Sequence, residues 1–158
     1  MFASAGFELF HVAISVIGIC AGFVVLGGLM TSTRMPRATF VFLVMTLLTS
    51  LTGFLFPFKG ITPAIAVGIL STAILIVAFY ALYARKLMGR WRAIYVLTAM
   101  AALYLNTFVL VVQTFVKFPV IHTLAPNGNE PPFAIVQGLV LLTFAWLTWR
   151  ALKTYRPL

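Results

Sequence analysis

The chain has 158 residues and a net charge of +9, yet 63% of its residues are hydrophobic and only 8% are charged. Soluble domains carry about 25% charged residues, and a fold of this length with so few lacks the polar surface to cover itself. The composition excludes a soluble globular domain and selects an integral membrane protein. A nucleic-acid binder, the other common class for a basic chain, is excluded by where the charge lies: Lys and Arg stand at the ends of apolar runs, where membrane topology requires them.

Crossing a hydrocarbon core of about 30 Å takes roughly 20 apolar residues at about 1.5 Å rise each. Five runs meet this, over residues 10–30, 38–56, 63–84, 93–116 and 133–152, within a single domain of residues 1–158. The opening stretch MFASAGFELF has no basic n-region, and the first cations, Arg34 and Arg37, follow the first run. The expectation is a retained span, not a cleaved signal peptide. The predicted fold is an all-α bundle of five transmembrane helices.

Charge assigns the sides. With five crossings, Arg34, Arg37, Arg85, Lys86, Arg90, Arg92, Arg150, Lys153 and Arg156 share one face, and only Lys59 and Lys117 fall on the other. The positive-inside rule puts the nine in the cytoplasm. The N-terminus is then outside and the C-terminus cytoplasmic, with both acids, Glu8 and Glu130, outside. Tyr80, Tyr83, Trp91, Tyr95, Trp146, Trp149 and Tyr155 mark the cytoplasmic boundary as amphipathic anchors. The outer boundary is marked by phenylalanine: Phe7, Phe10, Phe56, Phe58, Phe115, Phe118 and Phe133. Phenylalanine lacks a polar tip, which points to a ring cluster on the outer side.

Small residues indicate where helices approach. Gly18 and Gly22 have the GxxxG spacing in the first run, with Gly27 and Gly28 further on; Thr46, Thr49, Ser50 and Gly53 share a face of the second; Ala64, Gly68 and Thr72 recur every four residues in the third. Cys20, the only cysteine, lies within a run and fits no disulfide or metal spacing.

The stretch from Ala93 to Phe133 holds the most chemistry. Asn106 and Gln113 are seven apart on one face of the fourth run, and an amide is costly to leave unpaired in hydrocarbon. They are expected to face other helices, either in interhelical hydrogen bonds or as the polar wall of a cavity, and Gln137 of the fifth run is placed to meet Gln113. The connection VIHTLAPNGNEPP is stiffened by Pro126, Pro131 and Pro132 and turned at Asn127-Gly128. It reads as a rigid connector or as an ordered cap over the outer helix ends. His11, three residues after Glu8, and His122 both fall on the outer side. With Glu8 and Glu130 they form a candidate metal set, and the two histidines a candidate haem pair. No HxxxH, HExxH or CxxC spacing accompanies them. No ionisable residue lies in the middle of any run, as ion-coupled transporters and proton relays require. No phosphate loop or nucleophile elbow occurs.

The segments SLTGFLFPF (50–58), YLNTFVLVVQTF (104–115) and the LAP…EPPF pattern (124–133) resemble a group of small, uncharacterised bacterial inner-membrane proteins. The resemblance runs from the second span to the end of the chain. It implies a bacterial cytoplasmic membrane and brings no activity or residue role with it.

Three functions follow as expectations. The first is a non-enzymatic accessory subunit or helical scaffold, associating with itself or with a larger membrane complex and with lipids, with no cofactor expected. The second is a binder of a lipid, quinone or other hydrophobic molecule in an outer-leaflet cavity between the first, fourth and fifth runs. His11, Asn106, Gln113 and Gln137 would supply its polar contacts. The third is a haem- or metal-bearing redox protein using His11 and His122.

Overall fold

A computed structural model describes residues 4–57 and 60–157. The chain forms α1 (Ala5–Thr31), α2 (Pro36–Gly53), α3 (Pro63–Phe79) with a π-helical continuation (Tyr80–Ala84), α4 (Arg90–Lys117), the single turn α5 (Pro119–His122) and α6 (Pro131–Thr154). Five of these helices, all but α5, are long and apolar enough to cross a membrane. Their starts are set by local chemistry. Ser4 Oγ accepts from Phe7 N at 3.2 Å and Thr62 Oγ1 from Ile65 N at 3.3 Å, each satisfying one orphan donor of a first turn. Prolines open α2, α3, α5 and α6, where a missing N–H costs nothing. Two positions read from the sequence, Phe58 and Lys59, lie outside the described residues.

The five long helices run up and down. One end of the bundle gathers the end of α1, the start of α2, the π turn, the start of α4 and the end of α6. There Arg156 N donates to Ser32 Oγ at 2.8 Å, and the Arg92 guanidinium donates to the carbonyls of Leu152 (3.1 Å) and Tyr155 (2.6 Å). A cation in this place satisfies the orphan carbonyls and the negative end of α6. At the other end Glu8, in the first turn of α1, pairs with Lys117, in the last turn of α4.

Helix α4 is the hub, in contact with α1, α2, α3 and α6. The remaining neighbours are α1 with α2, α2 with α3, and α1 with α6. Close approach depends on glycine: a Cβ on Gly22 would sit 2.5 Å from Leu103 Cδ1 and 3.0 Å from the Phe42 ring, and one on Gly68 would sit 2.8 Å from Phe54. The principal apolar core, with Leu26, Phe42, Leu75, Val96, Leu103 and Phe144 among its members, fills the half of the bundle toward the basic end. Toward the acidic end, hydrogen bonds from hydroxyls, an imidazole and the Gln137 amide join the apolar contacts between helices. The helices are unevenly covered: 39% of the most apolar stretch of α4 is buried, against 11% of that of α6.

Candidate functional site

At the acidic end the four residues of the candidate metal set are each engaged elsewhere. His11 Nδ1 lies 2.8 Å from Thr52 Oγ1, and its ring stands edge-on to Phe56 at 5.0 Å. Ser15 Oγ donates to the His11 carbonyl at 2.7 Å and to Thr49 Oγ1 at 3.3 Å, extending this polar seam between α1 and α2. Glu8 pairs with Lys117, both about half exposed. His122 Nδ1 donates to the Phe115 carbonyl at 3.1 Å and fastens α5 to the last turns of α4. Glu130 turns back on its own loop. Its carboxylate accepts from Asn127 N (3.0 Å), Asn127 Nδ2 (2.7 Å) and Asn129 N (3.1 Å). Desolvation works against its charge, but these donors prevail and hold the carboxyl below its ordinary value. Among the described residues, no three His, Cys, Asp or Glu side chains come together. Among the described residues, the expected phenylalanine cluster is represented by Phe7 with Phe56 at 5.1 Å and Phe115 with Phe133 at 5.4 Å.

The amides diverge. Gln137 is buried, and its Nε2 donates to the Phe108 carbonyl of α4 at 3.1 Å rather than meeting Gln113. Asn106 is half-buried, with Nδ2 sealed from solvent and unpartnered; Gln137 Oε1 and Thr46 Oγ1 share that state. Gln113 is on the exposed surface of α4. A cavity of about 150 Å³ does lie beneath the Pro-rich loop, but Val112, Phe115, His122, Asn127 and Phe133 line it, not Asn106 or Gln137. It is below the roughly 300–1,000 Å³ of a typical small-molecule site.

The larger cavity, about 270 Å³, opens at the basic end. Arg34, Thr39, Tyr83, Lys86, Tyr95 and Tyr155 supply the polar part of its lining, and Met35, Leu82 and Leu87 the apolar part. Its shape comes from an irregular turn. The helix widens to π geometry over Tyr80–Ala84, Arg85 N donates to Tyr80 O at 3.0 Å, and Leu87 N donates to Ala81 O at 3.1 Å. Lys86 (φ 49) and Leu87 (φ 60) are both left-handed, a conformation costing about 1–2 kcal/mol per residue. Leu87 is anchored by burial in the apolar core, which leaves Lys86 on the cavity wall. The tyrosines depart from the sequence reading. Tyr95 and Tyr155 are not boundary anchors but are buried at 1% and 4% exposure, their rings 6.3 Å apart. Burial pushes the Tyr155 phenol up, against the pull of the Arg34 cation beside it.

Four of the other cations at this end are already occupied. Arg85 lies over Trp91, Arg150 over Trp146 and Lys153 over Trp149 at 5.3, 5.2 and 4.1 Å, and Arg92 caps α6. Arg34 and Lys86 make no hydrogen bond or ion pair among the described residues. The sequence placed both among nine cations that share an end with no acid; it gave no sign that these two meet in one cavity.

The class defined so far is an all-helical bundle with five candidate membrane-spanning helices. No protein-family model, curated protein or solved structure matches this chain.

Proposed function

We propose that the chain is a multi-pass protein of the bacterial cytoplasmic membrane that carries out no chemistry of its own. It acts as an accessory subunit or scaffold, seating another membrane helix, from a second copy or from a larger complex, against α6. The observation that carries this reading is the uneven covering of the helices. Only 11% of the apolar stretch of α6 is buried, and Ile135, Leu139 and Leu142 are 60%, 60% and 68% exposed along one side of it. The hub helix and the dry core give α6 a rigid seat, because a packed interior transmits position rather than yielding. Lipid tails are as apolar as these side chains, so a partner helix must gain its hold here from close van der Waals packing.

Site-specific photo-crosslinking in intact membranes tests this. A photoreactive residue at Leu139 or Leu142 is expected to capture protein, and one at Ile17 on the exposed side of α1 to capture lipid alone. Lipid adducts from both helices, together with a monomer in mild detergent, overturn the scaffold reading.

A further inference from the structure

We propose that the basic-end cavity binds the phosphate headgroup of an anionic phospholipid. The inference rests on the membrane placement proposed above and is independent of the scaffold role.

Charge is the first argument. Arg34 comes from the α1–α2 turn and Lys86 from the turn after the π segment, so two distant stretches of chain deliver a cation to one cavity. Neither finds a counter-charge, since Glu8 and Glu130 are both at the opposite end. Their neighbours Arg85, Arg92, Arg150 and Lys153 are taken up by rings or carbonyls. A guanidinium and an ammonium together suit a phosphate: the first offers a planar fork of donors, the second a point charge. The start of α2 reinforces them. Met35 and Pro36, at the start of that helix, line the cavity, and no side chain caps the helix, so its positive end lies near the same space.

Backbone geometry is the second argument. A π turn followed by two consecutive left-handed residues that are not glycine is a costly way to leave a helix. The direct consequence here is to bury Leu87 and set Lys86 at the cavity wall.

The third argument separates lipid from a water-soluble phosphate. Part of the lining is apolar, and exposed apolar side chains lie beside it on both flanking helices: Phe40 follows Thr39 on α2, and Tyr80 and Ile76 precede Tyr83 on α3 and its π continuation, at 55%, 49% and 61% exposure. The cavity holds a headgroup, and these ridges supply a surface for acyl chains. A free phosphate compound uses only the first half of this arrangement.

The test is native mass spectrometry of the full chain released from nanodiscs of phosphatidylcholine and phosphatidylglycerol. Two charge-matched variants are compared, Arg34→Gln with Lys86→Gln, and Arg37→Gln with Arg90→Gln; all four side chains are exposed, and matching melting curves confirm that each variant folds. The wild type is expected to retain phosphatidylglycerol in preference to phosphatidylcholine. The cavity variant should lose that retention by about tenfold or more, and the control variant by less than about twofold. Equal losses in the two variants, or no loss in either, overturn a built site in favour of diffuse attraction. Displacement of the lipid by soluble glycerol phosphate overturns the lipid assignment. Protein that never enters nanodiscs defeats the membrane placement itself, a result distinct from protein that enters and retains no phosphatidylglycerol.

Discussion

Among single residues, Gly22 shows how tightly α4 is held. Both side chains that a Cβ there would strike, Leu103 and Phe42, are buried at 1% and 0% exposure, so neither can swing away into lipid. Gly27, in the same helix, has nothing within 4 Å of its virtual Cβ. Gly22→Val is therefore expected to lower stability in mild detergent by about 1–3 kcal/mol, the range for overpacked cores. Gly27→Val should stay within about 0.5 kcal/mol. Thermal unfolding of the two variants is the check, and equal effects would mean that the α1–α4 contact is loose. The GxxxG spacing marked Gly22 correctly. Gly27 belongs to no such pair; what spacing could not give is which side chains stand opposite Gly22.

At the scale of the element, the 127–130 turn before α6 is ordered by one carboxylate. Glu130 gathers the Asn127 and Asn129 amides around the turn at Gly128 (φ 74). Its pKa is lowered below the ordinary 4.5, so the charged form is the one the folded loop favours. The resulting order is fully present above the ordinary carboxylate value and is lost only as pH falls through the depressed one. Amide exchange at Asn127 and Asn129, corrected for intrinsic rates, should stay protected through pH 4.5 and lose protection below it. Glu130→Gln should show weaker protection at neutral pH and no step on acidification; equal protection in both proteins would refute the role. The helices themselves were legible because bilayer thickness imposes a length that apolar runs must match, and a connection rich in Pro, Asn and Gly announces itself. Orientation about each helix axis was not. Where both faces of a helix are apolar, periodicity cannot say which is inward, so Gln113 was expected inside and lies on the surface, while Tyr95 and Tyr155 were expected at the boundary and lie buried. The π turn was hidden for another reason: YALYARKL contains neither glycine nor proline to advertise a left-handed exit.

For the whole molecule, the two halves differ in what holds them. The basic half is closed by an apolar core around α4; the acidic half combines phenylalanine pairs with hydrogen bonds from hydroxyls, His11 and Gln137, and leaves Asn106 Nδ2 and Gln137 Oε1 unpartnered. An odd number of candidate spans puts Ser4 and Pro157 at opposite ends, since Glu8 meets Lys117 while Arg156 meets Ser32. If the positive-inside rule governs insertion, the half with nine cations faces the cytoplasm and the half with both acids faces outward. Cysteine labelling decides this, with Cys20→Ala removing the native thiol. In that background, Ser4→Cys should react with an impermeant maleimide on intact cells, and Pro157→Cys only after permeabilisation. Labelling of both from one side would break the five-crossing arrangement, because a chain whose ends share a compartment crosses an even number of times. The reverse pattern would keep the crossings but invert the protein, and would carry the Arg34 and Lys86 cavity to the outer leaflet.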